Sequence, residues 1–238
     1  MLIQVSNVIA LVAQGIEHWL PEPCAQVRIL PRALQSSDHF PADFFTRSDD
    51  SDDTRFYEPE RLVKHIDDAA ISAVGALYDE LRINGRVLDM MGSWISHFAK
   101  APDELVVLGM NWTELHANPM AAEVLAHDLN TTPTLPFEDN HFDDVVCAVS
   151  VDYLTQPIRV FVDVQRILKP GGRLVCTFSN RCFPTKAIRG WLLATEAQRC
   201  DIVARYFELA GGFTPATIEN RTGTALGDPL YAVWATAT

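Results

Sequence analysis

Polar residues that can bind a ligand follow five short apolar runs of the chain: Asp89, Asn111, Asp128, Asp152 and Arg181. Each apolar run is typical of a buried strand. In an open α/β sheet, a ligand binds in the crevice beyond the carboxyl ends of the strands. Carboxylates and an amide there accept hydrogen bonds from hydroxyl and ammonium groups, and a guanidinium binds an acidic group. The spacing therefore predicts one small-molecule crevice.

Helices and strands alternate through the part of the chain that must position these residues. An apolar period over Arg61–Leu81 predicts a helix, and Ile158–Leu168 and Cys200–Leu209 predict two more. The predicted strands are Val87–Asp89, Leu105–Gly109, Val124–Asp128, Asp144–Ser150, Arg173–Ser179, Ala216–Asn220 and Leu230–Thr236. Because strands that alternate with helices form parallel sheets with right-handed crossovers, we expect an α/β, Rossmann-like, mostly parallel sheet. Helices cover both faces, and the last two strands form a C-terminal antiparallel hairpin.

Composition narrows the class of protein and its partners. The 238 residues are 48% hydrophobic with a formal net charge of −12, which suits one α/β domain and argues against a nucleic-acid partner, because phosphate binding needs a positive face. The five cysteines include no CxxC pair, and no metal-ligand pattern appears, so we expect a reduced, cytoplasmic protein without a metal. The apolar run Val8–Val12 is too short to span a bilayer, and no signal peptide is indicated. We expect a small-molecule substrate, no membrane partner, and a monomer or homodimer.

Three segments in order carry a family resemblance: Leu135–Asp139, Phe142–Val146 and Arg166–Val175. They resemble the second half of the class I, S-adenosylmethionine (SAM) dependent methyltransferase domain, in particular the type 11 group. Phe178–Ile188 with Val149–Leu154 resembles a bacterial and plant subgroup within it. The resemblance covers about residues 61–238 and implies a SAM-dependent methyltransferase that acts on a small molecule. The alternative is a methyltransferase-fold protein without catalysis that serves as a binding or regulatory module. An NAD(P) oxidoreductase has little support, because no GxGxxG follows the first strand and no Tyr-x-x-x-Lys pair appears.

The resemblance also implies cofactor residues, although the first half of the site departs from the family pattern. An acidic residue followed by alternating glycines is usual there, whereas this chain has Asp89 followed by a single glycine, Gly92. Both are expected at the amino-acid end of SAM. Asn111 stands where the family has a carboxylate that accepts two ribose hydroxyls, and its alternative role is to cap the next helix.

The second half of the site follows the family more closely. Asp128 and Leu129 match the adenine contact, with an Asx turn as the alternative for Asp128, and Ser150 is expected beside the cofactor. Near the methyl group, Asp152 is the candidate base, Tyr153 would orient the acceptor and Arg181 would bind an acidic substrate. The alternatives are a helix cap at Asp152 and a surface ion pair at Arg181.

The amino-terminal segment differs in character from the rest. Residues 11–35 resemble a peptide obtained when a reading frame crosses a transfer-RNA gene, and prolines at 21, 23 and 31 interrupt any helix. We therefore expect residues 1–40 to be a non-native or disordered extension, with a real but loosely packed arm as the alternative. Residues 41–60 are expected to be an acidic linker or a loop at the mouth of the site, and 61–238 the methyltransferase-like domain.

Overall fold

A computed structural model describes residues 39–223 and 227–238. Residues 1–38 lie outside the described part of the chain. They include residues 11–35, with their resemblance to a translated transfer-RNA gene, and all but the last two residues of the expected extension. Within the described part, Phe40 and Phe44 are buried in the core.

Seven strands form one mixed sheet in the order β3-β2-β1-β4-β5-β7-β6. They are β1 Arg86–Met90, β2 Glu104–Gly109, β3 Glu123–Ala126, β4 Phe142–Ala148, β5 Leu168–Phe178, β6 Thr217–Asn220 and β7 Tyr231–Thr236. Strands β1 to β5 pair in parallel, whereas β7 pairs antiparallel with both β5 and β6. The predicted mostly parallel sheet and its antiparallel C-terminal hairpin are confirmed.

Six α-helices and one 3₁₀ helix are described around this sheet. The α-helices are α1 Asp53–Tyr57, α2 Asp68–Glu80, α3 Trp112–His116, α4 Pro157–Ile167, α5 Arg189–Leu193 and α6 Glu196–Ala210; the 3₁₀ helix is Val151–Tyr153. Helix α2 starts seven residues later than predicted, because Asp67 is its N-cap and accepts a hydrogen bond from the Ala70 amide. Helix α6 starts four residues earlier than predicted, because Thr195 and Gln198 form a capping box.

The sheet has a hydrophobic core on each face, since successive strand residues point to opposite sides. Val106 and Leu88 pack with residues of α4 and α6. Val107 and Val87 pack on the other side with residues of α2 and α3. Strand order reverses between β1 and β4, so the carboxyl ends of these two central strands flank the topological switch point where ligands bind in such sheets.

Candidate functional site

A cavity of about 550 Å³ lies at the carboxyl ends of β1, β2, β4 and β5. Its volume is in the range of small-molecule sites. Eight of the nine residues predicted for the site line it: Asp89, Gly92, Asn111, Asp128, Leu129, Ser150, Tyr153 and Arg181. The structure thus brings these residues together, whereas Asp152 is not among the lining residues.

Asp152 lies inside the protein, next to the cavity residue Tyr153. Its side chain is 2% exposed, and within the described residues its Oδ2 atom has no hydrogen-bond partner. Burial raises the pKa of Asp152 to about 7. A base role for Asp152 stays a prediction.

Asp89 is a buried carboxyl that does line the cavity. Burial raises its pKa to about 7, and a hydrogen bond with the Ser96 side chain partly offsets that effect. The Ser96 hydroxyl in turn accepts a hydrogen bond from Asn118 Nδ2 at 2.7 Å. A cationic group in the cavity would favour the ionised form of Asp89, because an opposite charge stabilises a carboxylate.

The loop after β1 folds back tightly onto β2. The Gly92 amide donates to the Leu108 carbonyl at 2.8 Å, and a Cβ at Gly109 would lie 2.2 Å from the Gly92 carbonyl oxygen. A Cβ at Gly92 would lie 2.8 Å from the Asp89 carboxyl group. Met91 has a φ of 60°, in the left-handed region that glycine occupies without strain. The single glycine of this loop is therefore required by contacts within the protein.

Asn111 lies in the cavity wall, and its side-chain amide already bonds to protein groups. Its Oδ1 caps α3 by accepting from the Glu114 amide at 3.1 Å. Its Nδ2 donates to the carbonyls of Tyr57 at 2.9 Å and Glu58 at 3.0 Å. Because an amide has two donor hydrogens and two acceptor lone pairs, only one lone pair on Oδ1 is left for a ribose hydroxyl.

Residues 53–65, here called the strap, line the cavity through Asp53, Tyr57, Arg61, Lys64 and His65. Besides Asn111, two groups hold the strap on the β2 side. Glu114 accepts from the Arg61 amide at 2.6 Å and from the Ser93 hydroxyl at 2.5 Å, and the Trp94 indole donates to the Val63 carbonyl at 3.2 Å. Ser93 and Trp94 stand in the stretch where the family pattern alternates glycines.

The other end of the strap is held by a buried group of charges centred on Asp53. Its carboxylate accepts from Arg47 at 2.8 Å and from Asn130 at 2.9 Å. The fully buried Lys186 lies 3.0 Å from it. These partners lower the pKa of Asp53 against the opposing effect of burial. The sequence reasoning missed Asp53, Lys186 and Glu114, because their contacts with Asn130, Asp53 and Arg61, respectively, join residues more than fifty positions apart.

Asp128 and Leu129 are the residues predicted to contact adenine. The Asp128 carboxylate accepts from the Asn130 amide at 2.8 Å and the Thr131 hydroxyl at 2.6 Å, which is an Asx turn. Since an ionised carboxylate has about four acceptor positions, it can also accept from a ligand. Leu129 is 3% exposed and gives the cavity an apolar wall.

Ser150, Tyr153 and Arg181 lie at the ends of β4 and β5. The Ser150 hydroxyl donates to the Ala148 carbonyl at 2.9 Å. The Tyr153 hydroxyl accepts from the Phe183 amide at 2.9 Å, and burial raises the pKa of Tyr153 well above its ordinary value. Arg181 pairs with Asp228 at 2.7 Å and is 64% exposed.

The cavity fits the chemical groups of SAM at two of three places. Asp89 can accept from an ammonium group, and Asp128 with Leu129 can hold an amino-substituted ring. At the ribose, Asn111 retains one free acceptor position because the strap occupies both of its donors. The described residues contain no group of three or more side chains suited to a metal, nor a helix long and apolar enough to cross a membrane.

Residues 106–176 match the family model described as a methyltransferase domain. Among solved structures, a chain from a complex of the Haloferax volcanii Trm112 methyltransferase activator is 14% identical with a TM-score of 0.54, covering 71% of this chain and 90% of that one. The [4+2]-cyclase SpnF is also 14% identical, with a TM-score of 0.51 and coverage of 70% and 81%. No curated protein matches this chain. At these identities the structural similarity establishes the fold alone, because proteins that share a fold can catalyse different reactions.

Proposed function

We propose, from the class I methyltransferase domain that this chain contains, that it is a SAM-dependent methyltransferase acting on a small molecule. The observation that carries the proposal is the position of the cavity. It lies beyond the carboxyl ends of the strands beside the switch point, and it is lined by Asp89 of β1 and by Asp128 and Leu129, which follow β3 two strands away in the sheet. These positions suit the cationic amino-acid part and the adenine of one extended ligand.

When bound, SAM supplies an electrophilic methyl group on a sulfonium, and transfer of that methyl group leaves S-adenosylhomocysteine. Catalysis by the chain is then mainly positioning of the acceptor atom in line with the breaking bond. Tyr153 is suited to this role. Its hydroxyl oxygen already accepts from the Phe183 amide, so its proton is available to an acceptor oxygen. Its raised pKa keeps the hydroxyl protonated at neutral pH.

Titration of the purified full chain with SAM and with S-adenosylhomocysteine, by calorimetry, tests the proposal. We expect saturable binding that is weakened about tenfold or more by Asp89→Ala or Asp128→Ala, because each removes a charged acceptor. Asp79→Ala is the matched control, since Asp79 is exposed on α2. No heat and no protection from thermal unfolding with either ligand would overturn the proposal.

The second candidate is a methyltransferase-fold protein that binds without catalysing. The bonds from Asn111 to the strap favour it, because they occupy the donors that a ribose would use. Incubation with SAM and a set of phenols, carboxylic acids and amines separates the two candidates. Release of S-adenosylhomocysteine with any acceptor rejects the second candidate. Tight SAM binding without release across the set supports it.

A further inference from the structure

Among the described residues, three side chains with fixed positive charge line the cavity, and they differ in their partners. Lys64 pairs with Asp68 at 2.5 Å, and Arg181 pairs with Asp228 at 2.7 Å. For Arg61, no carboxylate within residues 39–223 and 227–238 forms an ion pair with the guanidinium. In a chain with a net charge of −12, an arginine left without a carboxylate at a cavity is available to an anionic ligand.

The guanidinium of Arg61 is held in a defined place. Its NH1 donates to the Pro59 carbonyl at 3.0 Å and its NH2 to the Phe56 carbonyl at 2.7 Å. Its carbon lies 4.5 Å from the centre of the Phe56 ring and 5.7 Å from that of Phe183. Two of its five N–H donors are used in these bonds, so three remain for a ligand.

Aromatic rings surround this free charge on the β5 side of the cavity. The Phe183 ring lies edge-to-face with His65, with ring centres 5.3 Å apart, and 6.0 Å from the ring of Tyr153. Burial lowers the pKa of His65, so its imidazole is neutral at pH 7 and acts as a flat surface. Because the Phe183 amide also donates to the Tyr153 hydroxyl, Arg61 lies on the side of the cavity where the acceptor was placed.

We propose that Arg61, His65 and Phe183 form the acceptor subsite, and that this subsite selects a planar aromatic anion such as an aromatic carboxylate or a phenolate. The guanidinium binds the anionic group through its free N–H donors. The rings of Phe183 and His65 pack against the aromatic ring of the ligand. This inference rests on the proposed function, because it assigns the substrate class of the same cavity.

Binding of 4-hydroxybenzoate and of the neutral 4-hydroxybenzamide, measured with and without S-adenosylhomocysteine, tests the subsite. We expect the acid to bind about tenfold more tightly than the amide, and Arg61→Gln to remove that preference, since it removes a charge-assisted hydrogen bond. Arg159→Gln is the matched control, because Arg159 is exposed, bonds to Gln156 and lies away from the cavity. The affinity of S-adenosylhomocysteine should change less than about threefold in Arg61→Gln.

A second variant covers the case in which Arg61→Gln disturbs the strap. Phe183→Leu removes the aromatic ring of Phe183 but keeps the backbone amide that donates to the Tyr153 hydroxyl. It should abolish the preference for 4-hydroxybenzoate over cyclohexanecarboxylate while the charge preference stays. Equal binding of acid and amide by the unmodified chain would overturn the subsite.

Two further results would separate the subsite from the binding site of the cofactor. If Arg61→Gln weakens S-adenosylhomocysteine as much as 4-hydroxybenzoate, Arg61 holds the cofactor carboxylate and the inference is wrong. If S-adenosylhomocysteine never binds but 4-hydroxybenzoate binds through Arg61, the proposed methyltransferase function fails while the anion subsite stands.

Discussion

Two buried carboxyl groups, Asp89 and Asp152, have pKa values raised to about 7 by burial. Their surroundings differ. Asp89 lines the cavity and bonds to Ser96, whereas one oxygen of Asp152 has no hydrogen-bond partner within the described residues. A ligand can therefore reach the first carboxyl directly, and its charge state should matter for binding.

Affinity for S-adenosylhomocysteine should rise with pH up to about 7 because of Asp89. Its ionised form attracts the ligand ammonium, and below its pKa each pH unit lowers the ionised fraction about tenfold. Calorimetry between pH 5.5 and 8, in buffers with different ionisation enthalpies, would also detect the proton released on binding.

Asp89→Asn should bind weakly at all these pH values, without the rise. The control is Asp152→Asn, which removes an equally buried carboxyl outside the cavity and should keep the rise. An unchanged pH profile in Asp89→Asn would show that another group is responsible.

The substitution Gly109→Ala tests the close contact between the ends of β1 and β2. Gly109→Ala places a Cβ 2.2 Å from the Gly92 carbonyl oxygen, a backbone atom that cannot rotate away. We expect unfolding free energy to fall by about 2–3 kcal/mol, as for overpacked cores, measured by urea denaturation. Gly223→Ala is the control, because its added Cβ has no heavy atom of the described residues within 4 Å apart from its chain neighbours. Equal stability of both variants would contradict the contact.

At the scale of elements, the departures from the family pattern lie where the strap is attached. Asn111 donates to Tyr57 and Glu58, Trp94 donates to Val63, and Ser93 shares the carboxylate of Glu114 with Arg61. A carboxylate at position 111 could donate to neither carbonyl. The unusual half of the site therefore has a structural reason within the chain itself.

Asn111→Asp should release the strap without unfolding the domain. The variant keeps the cap on α3, since aspartate is as good an N-cap as asparagine, but it places negative charge against two carbonyl oxygens. Amide hydrogen exchange over residues 57–65 should become at least about tenfold faster, while the unfolding free energy changes by less than about 1 kcal/mol. Asn220→Asp, in β6 and away from the strap, should leave this exchange unchanged. If residues 57–65 stay equally protected in Asn111→Asp, the two bonds do not hold the strap.

The parts of the fold that local patterns determine could be predicted from the sequence. Apolar runs located all seven strands, and their alternation with helices gave a parallel sheet closed by a hairpin. The start of α2 was missed because it depends on Asp67, which also exchanges two hydrogen bonds with Asp228. The strap contacts join residues far apart in the chain, 54 positions for Asn111 with Tyr57 and 53 for Glu114 with Arg61, and a single sequence carries no signal of such pairing.

At the scale of the whole molecule, the sheet packs on both faces, and the chain buries charge as well as apolar surface. Lys186 and Asp53 are buried as partners, an arrangement in which the attraction of the pair repays part of the cost of removing both from water. Asp152 has no such cationic partner within hydrogen-bond distance among the described residues. We therefore expect ionisation of Asp152 to lower the unfolding free energy of the entire domain.

Asp152→Asn should stabilise the protein in a pH-dependent way. The folded-state pKa of Asp152 is raised to about 7 from the ordinary value of 3.8. Folding therefore disfavours its ionised form, and the carboxyl reduces stability progressively as the pH rises from about 4 to about 7. The gain in unfolding free energy of Asp152→Asn over the unmodified chain should be near zero at pH 4. It should reach at most about 4 kcal/mol above pH 7, from about 1.4 kcal/mol per pKa unit.

Urea denaturation of both proteins at pH 4, 5.5, 7 and 8 measures this difference. Asp201→Asn is the control: burial also raises the pKa of Asp201, but this residue is only partly buried, so solvent screening should leave a smaller gain. A gain for Asp152→Asn that is the same at pH 4 and pH 8 would mean that the substitution improves packing. In that case ionisation of Asp152 does not limit the stability of the domain.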